Sequence, residues 1–181
     1  MADKNIKVNM EEKQESSTGG SNLLHENYLK LKKVAEGILT ERFNYMKLRA
    51  PGFMDLVIEK IWNNRISLSH YYEQNGDLMA DPDMELIVDH DNETLRAATF
   101  QQDNMGIYHT AYKEDELVDD YLAKELDEFL GQWLKNILAQ GHIPYKANYA
   151  SEMLSEAGGV RFDEDGHEIE PDYLEDDDLE M

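Results

Sequence analysis

Asp55-Leu56-Val57-Ile58-Glu59-Lys60-Ile61-Trp62-Asn63-Asn64-Arg65-Ile66-Ser67-Leu68-Ser69-His70-Tyr71-Tyr72 is the stretch on which the fold turns. Its side chains alternate. Leu56, Ile58 and Lys60 fall on one side and Val57, Glu59 and Ile61 on the other. Beyond Asn63-Asn64, a turn signal, Ile66, Leu68, His70 and Tyr72 oppose Ser67, Ser69 and Tyr71. A period of two on both sides of a turn predicts two antiparallel strands and argues against a helix.

Downstream, Asn75-Gly76-Asp77 breaks the pattern, and a loop through Asp81-Pro82-Asp83 leads to residues 84–89. His90-Asp91-Asn92 joins these to residues 94–102 as a hairpin, and Asp103-Asn104-Met105-Gly106 turns into residues 107–112. Connections this short make neighbouring strands antiparallel. Upstream, Leu24, Tyr28, Leu31, Ala35, Ile38 and Leu39 recur at helical spacing from a cap at Asn22. That helix is read as able to run on through Phe43, Tyr45 and Met46 until Ala50-Pro51-Gly52 ends it. Residues 115–140 carry the stripe Val118, Leu122, Leu126, Phe129, Trp133 and Ile137, with acids crowding the first turns and Gly141 as the stop. The expected fold class is α+β: an antiparallel sheet of four to five strands flanked by two amphipathic helices, with an acidic C-terminal extension.

The expected division is a flexible leader over residues 1–21, one α+β domain over 22–142, and an extension with an acidic tail over 143–181. Within that extension, residues 148–157 read as a short helix, and Val160-Arg161-Phe162 faces His167-Glu168-Ile169 across Asp165-Gly166 as a small hairpin. No apolar run approaches the roughly 20 residues that span a bilayer, so no membrane partner is expected. The first residues lack an apolar signal-peptide core, and the chain has no cysteine. Disulfides, thiolate zinc sites and cysteine nucleophiles are excluded, and a cytoplasmic location is expected, which the resemblance given below makes that of a host cell.

Charge discriminates further. The 181 residues carry a formal net charge of −22, and the sign is unevenly placed. Residues 22–72 hold eight Lys/Arg against five Asp/Glu, whereas residues 73–128 hold three against seventeen. Such a field repels nucleic acid, so direct DNA binding is not expected. Two acidic surfaces are the expected partner-binding residues: Glu73, Asp77, Asp81, Asp83, Asp89 and Asp91, and the helix entrance at Glu114, Asp115, Glu116, Asp119 and Asp120. Steering toward a basic partner through such carboxylates is sensitive to salt.

Catalytic candidates are His70, Glu73, Asp103 and His109, where imidazoles and carboxylates offer the groups a metal-assisted hydrolase uses. Their sequence spacing is not that of a metal motif, so no metal and no cofactor are expected. His90 and His142 read as structural. The acidic runs at 89–93 and 163–168 lack the twelve-residue calcium loop, and no Walker A, dinucleotide or nucleophile-elbow motif is present. An amide and aromatic set, Tyr71, Tyr72, Gln74, Asn75, Gln101, Gln102, Asn104 and Tyr108, has the chemistry of a recognition surface. The same residue types also serve turns and solvated strand faces.

The run 66–77 with Met84-Glu85, followed by Phe100-Gln101-Gln102-Asp103-Asn104-Met105-Gly106-Ile107-Tyr108, resembles an uncharacterised domain found in proteins of phages, conjugative plasmids and integrative elements. The resemblance covers about residues 54–138 and carries no catalytic residue with it. It implies a mobile-element accessory protein, similar in character to anti-restriction and type II anti-CRISPR proteins. The leading expectation is therefore a non-catalytic inhibitor that binds a host nuclease or its guide-RNA complex. Two alternatives stand beside it: a metal-assisted nuclease or RNA-cleavage factor, and a structural or regulatory module of plasmid transfer acting as a homodimer.

Overall fold

The structure is a computed structural model that describes residues 15–62, 64–113, 115–150 and 159–169. In chain order its elements are α1 (Glu15–Leu39), β1 (Phe43–Arg49), β2 (Leu56–Trp62), β3 (Arg65–Gln74), β4 (Asp77–Asp89), β5 (Thr94–Ala97), β6 (Thr99–Gln102), β7 (Ile107–Thr110), β8 (Tyr112–Lys113), β9 (Glu116–Leu117), α2 (Asp120–Gln140), β10 (Ile143–Tyr149), β11 (Val160–Phe162) and β12 (Glu168–Ile169). Ten strands form one antiparallel sheet in the order β12-β11-β10-β1-β2-β3-β4-β6-β7, with β5 also paired to β4. β8 and β9 form a separate ribbon. The α+β class holds with its two helices, but the sheet has about twice the expected strands.

Two of the added strands, and the lengthening of an expected one, have clear physical causes. Residues 43–49 leave the helix and form β1, whose buried Phe43 and Met46 stand three apart because the register against β10 slips between Phe43 and Tyr45. A bulge thus imitates a helical step. β10 carries Pro144 opposite Leu48, beside a second slip between Lys47 and Leu48, where the missing N–H is tolerated. β4 starts at Asp77, because Asn75 and Gly76 both take positive φ (56° and 89°) and close a two-residue hairpin onto β3. Pro82 sits where the β3–β4 register shifts between Ser69 and Tyr71.

The expected hairpin at 160–169 is present as β11 and β12, and it extends the same sheet. Most of the expected helix at 148–157 lies outside the described residues, while Asn148 and Tyr149 belong to β10. The acidic tail from 170 also lies outside them. α1 begins at Glu15, ahead of the expected Asn22 cap.

One sheet face is covered by both helices. Leu48, Leu56, Ile58, Leu68, Met84, Leu86 and Leu95 meet Leu31, Leu130, Leu134 and Ile137 there, all at 1% exposure or less. Each such side chain contributes about 1.5–3 kcal/mol when fully buried. His70 is on this covered face, at 7% exposed. α2 is capped by Asp119, whose side chain accepts the N–H of Leu122 at 2.9 Å, and stopped by Gly141 at φ 73°. No helix among the described residues is long and apolar enough to cross a membrane.

Candidate acidic interface

Arg65 organises one end of the sheet. Its guanidinium is buried where β3 begins, and it donates through Nε (2.9 Å) and Nη2 (2.7 Å) to Asp115 Oδ1, and through Nη1 (3.0 Å) to Glu85. Burial makes such a cation depend on its carboxylates, and the guanidinium fork can serve both at once. The arrangement pins the β8–β9 turn, where Asp115 takes a φ of 69°, against the sheet. Asp115 and Glu116 therefore precede α2, which starts at Asp120, and the expected placement of these acids on its first turns is corrected.

Immediately after that pinned turn the chain presents Leu117, Val118 and Tyr121 at 49%, 56% and 73% exposed, among Glu116, Asp119 and Asp120, all exposed. Val118 was expected to head the buried stripe of α2. That stripe instead runs Ala123, Leu126, Asp127, Leu130, Gly131, Trp133, Leu134 and Ile137, which turns Val118 and Tyr121 to solvent. An apolar centre with a charged rim is the anatomy of a protein interface.

The other expected acidic surface does not form one patch. β4 is a continuous 13-residue strand, so Asp77 at its start and Asp89 at its end stand about 40 Å apart. Several acids already have internal work. Asp81 accepts the amides of Gln102 (2.7 Å) and Asn104 (3.3 Å), and Asp83 accepts Ser67 (2.9 Å) and Tyr71 (3.2 Å). Burial raises the Asp83 pKa. Asp89 is bonded by Asn92 through side chain and backbone, which lowers its pKa. Asp120 pairs with Lys124 at 2.7 Å. Glu73, Asp77 and Asp91 are exposed, and Glu114 lies outside the described residues. The amides expected to recognise a partner are thus largely spent on the protein's own carboxylates.

The catalytic candidates are not brought together. His70 is buried, whereas His109 is exposed on β7, and the rings of Trp133, Phe129 and Phe100 form a relay between them with centre distances from 5.2 to 6.5 Å. Asp103 is held by the Gln101 amide (2.7 Å) and the Ala80 N–H (2.8 Å), bonds that lower its pKa, and Glu73 is exposed near the end of β3. Among the described residues only Asp163, Asp165 and His167, all exposed, form a group of three potential metal ligands. The basic segment is similarly occupied: Arg42 pairs with Glu168, Lys47 and Arg49 with Asp55, and Lys60 with Glu41.

A family model described as a domain of unknown function, DUF6908, matches residues 26–143. No curated protein and no solved structure matches the chain.

Proposed function

We propose that this chain, which belongs to the DUF6908 family of unknown function, is a non-catalytic binding protein that seats an acidic-rimmed apolar patch in a basic groove of a nucleic-acid-processing protein. The observation that carries the reading is the trio Leu117, Val118 and Tyr121, exposed beside Glu116, Asp119 and Asp120 directly after a turn fixed by Arg65. The one buried cation at this end, Arg65, is already paired with Asp115 and Glu85, while Glu116, Asp119 and Asp120 remain exposed around the apolar trio. The resemblance to mobile-element proteins narrows the partner to a host defence nuclease, with a type II CRISPR effector and its guide as the first to try. The nuclease reading has no assembled site among the described residues, since His70 and His109 stand apart.

The test is target-DNA cleavage by a guide-loaded type II effector with added protein, at low and at high salt. Inhibition is expected at low salt, weaker at high salt, and reduced at least about tenfold by Tyr121→Ala with Glu116→Lys, as for loss of an aromatic anchor and a rim charge. Cleavage unaffected at low salt, with no binding detected, overturns the choice of partner.

A further inference from the structure

His70 on β3 and His142, directly after the Gly141 cap, are 7% and 8% exposed and lean on consecutive backbone carbonyls. His70 Nδ1 lies 3.0 Å from the carbonyl of Asp55, and His142 Nε2 lies 3.0 Å from that of Met54. A carbonyl only accepts, so each neutral ring carries its proton on the bonded nitrogen. Nε2 of His70 and Nδ1 of His142 are left as bare lone pairs. The two nitrogens of an imidazole point to opposite sides of the ring, so both lone pairs face away from residues 54 and 55. His142 Nδ1 is, among the described residues, the one buried side-chain polar atom with no hydrogen-bond partner, an arrangement that native interiors seldom leave without a use.

We propose that His70 and His142 form a two-histidine site for a divalent transition-metal ion of the imidazole-preferring kind, such as Zn(II), Ni(II) or Cu(II). Metal-ligating histidines characteristically donate their second nitrogen to a carbonyl or carboxylate, which fixes the tautomer, and both rings are braced in this way. Their centres are 5.7 Å apart. Two imidazoles sharing one ion at metal–nitrogen distances of about 2.0–2.1 Å place their centres about 5–6 Å apart.

Trp133, at 5.5 Å from His70, and Phe53, at 6.3 Å from His142, wall the pair. His142, though not His70, also lines a groove of about 740 Å³ with Met46, Phe43 and Pro144. No carboxylate among the described residues joins the two in a cluster of three, so the ion keeps positions open to water or to a donor from outside the chain. The exposed Asp163, Asp165 and His167 group has no such bracing and serves as the competing site to be controlled.

The test titrates Zn(II) alone into the full chain and follows the imidazole nitrogens by long-range nitrogen–proton spectra. Before metal, the proton is expected on Nδ1 of His70 and Nε2 of His142. Saturation at one ion per chain is expected to move His70 Nε2 and His142 Nδ1. In a Trp62→Phe background, Cu(II) is expected to quench Trp133, with the apparent affinity falling at least about tenfold in His142→Ala and holding in His167→Ala. Histidine nitrogens that do not move at saturating Zn(II), or quenching that persists unchanged in a folded His142→Ala protein, overturn the proposal. The spectra use the unsubstituted chain, so they decide the matter even if His142→Ala fails to fold.

Discussion

The carboxylate of Asp127 on α2 accepts the backbone N–H of Ala97 on β5 at 2.8 Å, while its own carbonyl accepts the Nδ2 of Asn27 on α1 at 3.0 Å. One residue thereby joins both helices to the sheet, and its side chain is 93% shielded from solvent by a core that raises its pKa from 3.8 to about 6, with burial as the cause. The folded state therefore holds this proton more tightly than the unfolded chain. Its contribution to stability is complete below about pH 4 and is lost as pH rises through about 6. Asp127→Asn keeps an acceptor for Ala97 and removes the charge. It is expected to raise stability by about 1–3 kcal/mol at pH 7.5, with a smaller gain or none at pH 4. Urea unfolding of both proteins across that window checks it, and a gain independent of pH would contradict the account.

Arg65 has a different dependence, because its partners are more open than it is. Arg65→Ala leaves Asp115 and Glu85 facing each other without a cation and removes a packed stem. A loss of about 2–3 kcal/mol is expected, with the β8–β9 turn loosened first. Arg65→Lys keeps the charge but not the fork, and is expected to cost about 1–2 kcal/mol. Amide hydrogen exchange at Val118, whose N–H bonds Ala111 at 2.9 Å, reads the turn directly.

At Gly131 the two helices pack closely: a Cβ there would stand 2.8 Å from Oδ1 of Asn27, which is fully buried. Gly131→Ala is expected to destabilise by about 1–3 kcal/mol in spite of the better helix propensity of alanine. Thermal unfolding of Gly131→Ala, alone and with Asn27→Ala, separates the clash from the lost hydrogen bond.

Gly76 turns the β3–β4 hairpin at φ 89° with open space where a Cβ would go. Gly76→Ala is therefore expected to cost about 1 kcal/mol through backbone strain alone. A shifted urea midpoint with an unchanged slope would agree.

What the sequence made legible follows from where a local pattern agrees with the tertiary environment. Leu56 to His70 alternate and are paired as read, and Gly141 stops α2 where a glycine should. β1 was hidden because its bulge spaces Phe43 and Met46 like a helix, and β10 because Pro144 disqualifies a strand on local grounds. Asn75-Gly76 was a strong hairpin signal read only as a break. Asp127 in the core and Arg65 beside the site were invisible as buried residues, since a charged side chain scores as solvated whatever its partner across the fold. The exposure of Val118 and Tyr121 depends on how α2 is rotated, which its own amphipathic pattern left open by a residue or two. His142, read as structural, was joined to His70 only by a pairing 72 positions away in sequence.

The placement of β10 beside β1, with Met46 opposite Ala147 and Arg49 opposite Ile143, means that the sheet is knit from opposite ends of the described chain. During synthesis, β1 leaves the ribosome nearly a hundred residues before the strand that covers its outer edge. Until residue 149 has emerged, Phe43, Met46 and Leu48 border an unpaired edge of the kind that recruits foreign strands. Closing so distant a pairing is slow compared with the β2–β3 and β3–β4 hairpins. The nascent chain therefore passes through a stage, after its hairpins and before its sheet, in which it is most in need of a chaperone.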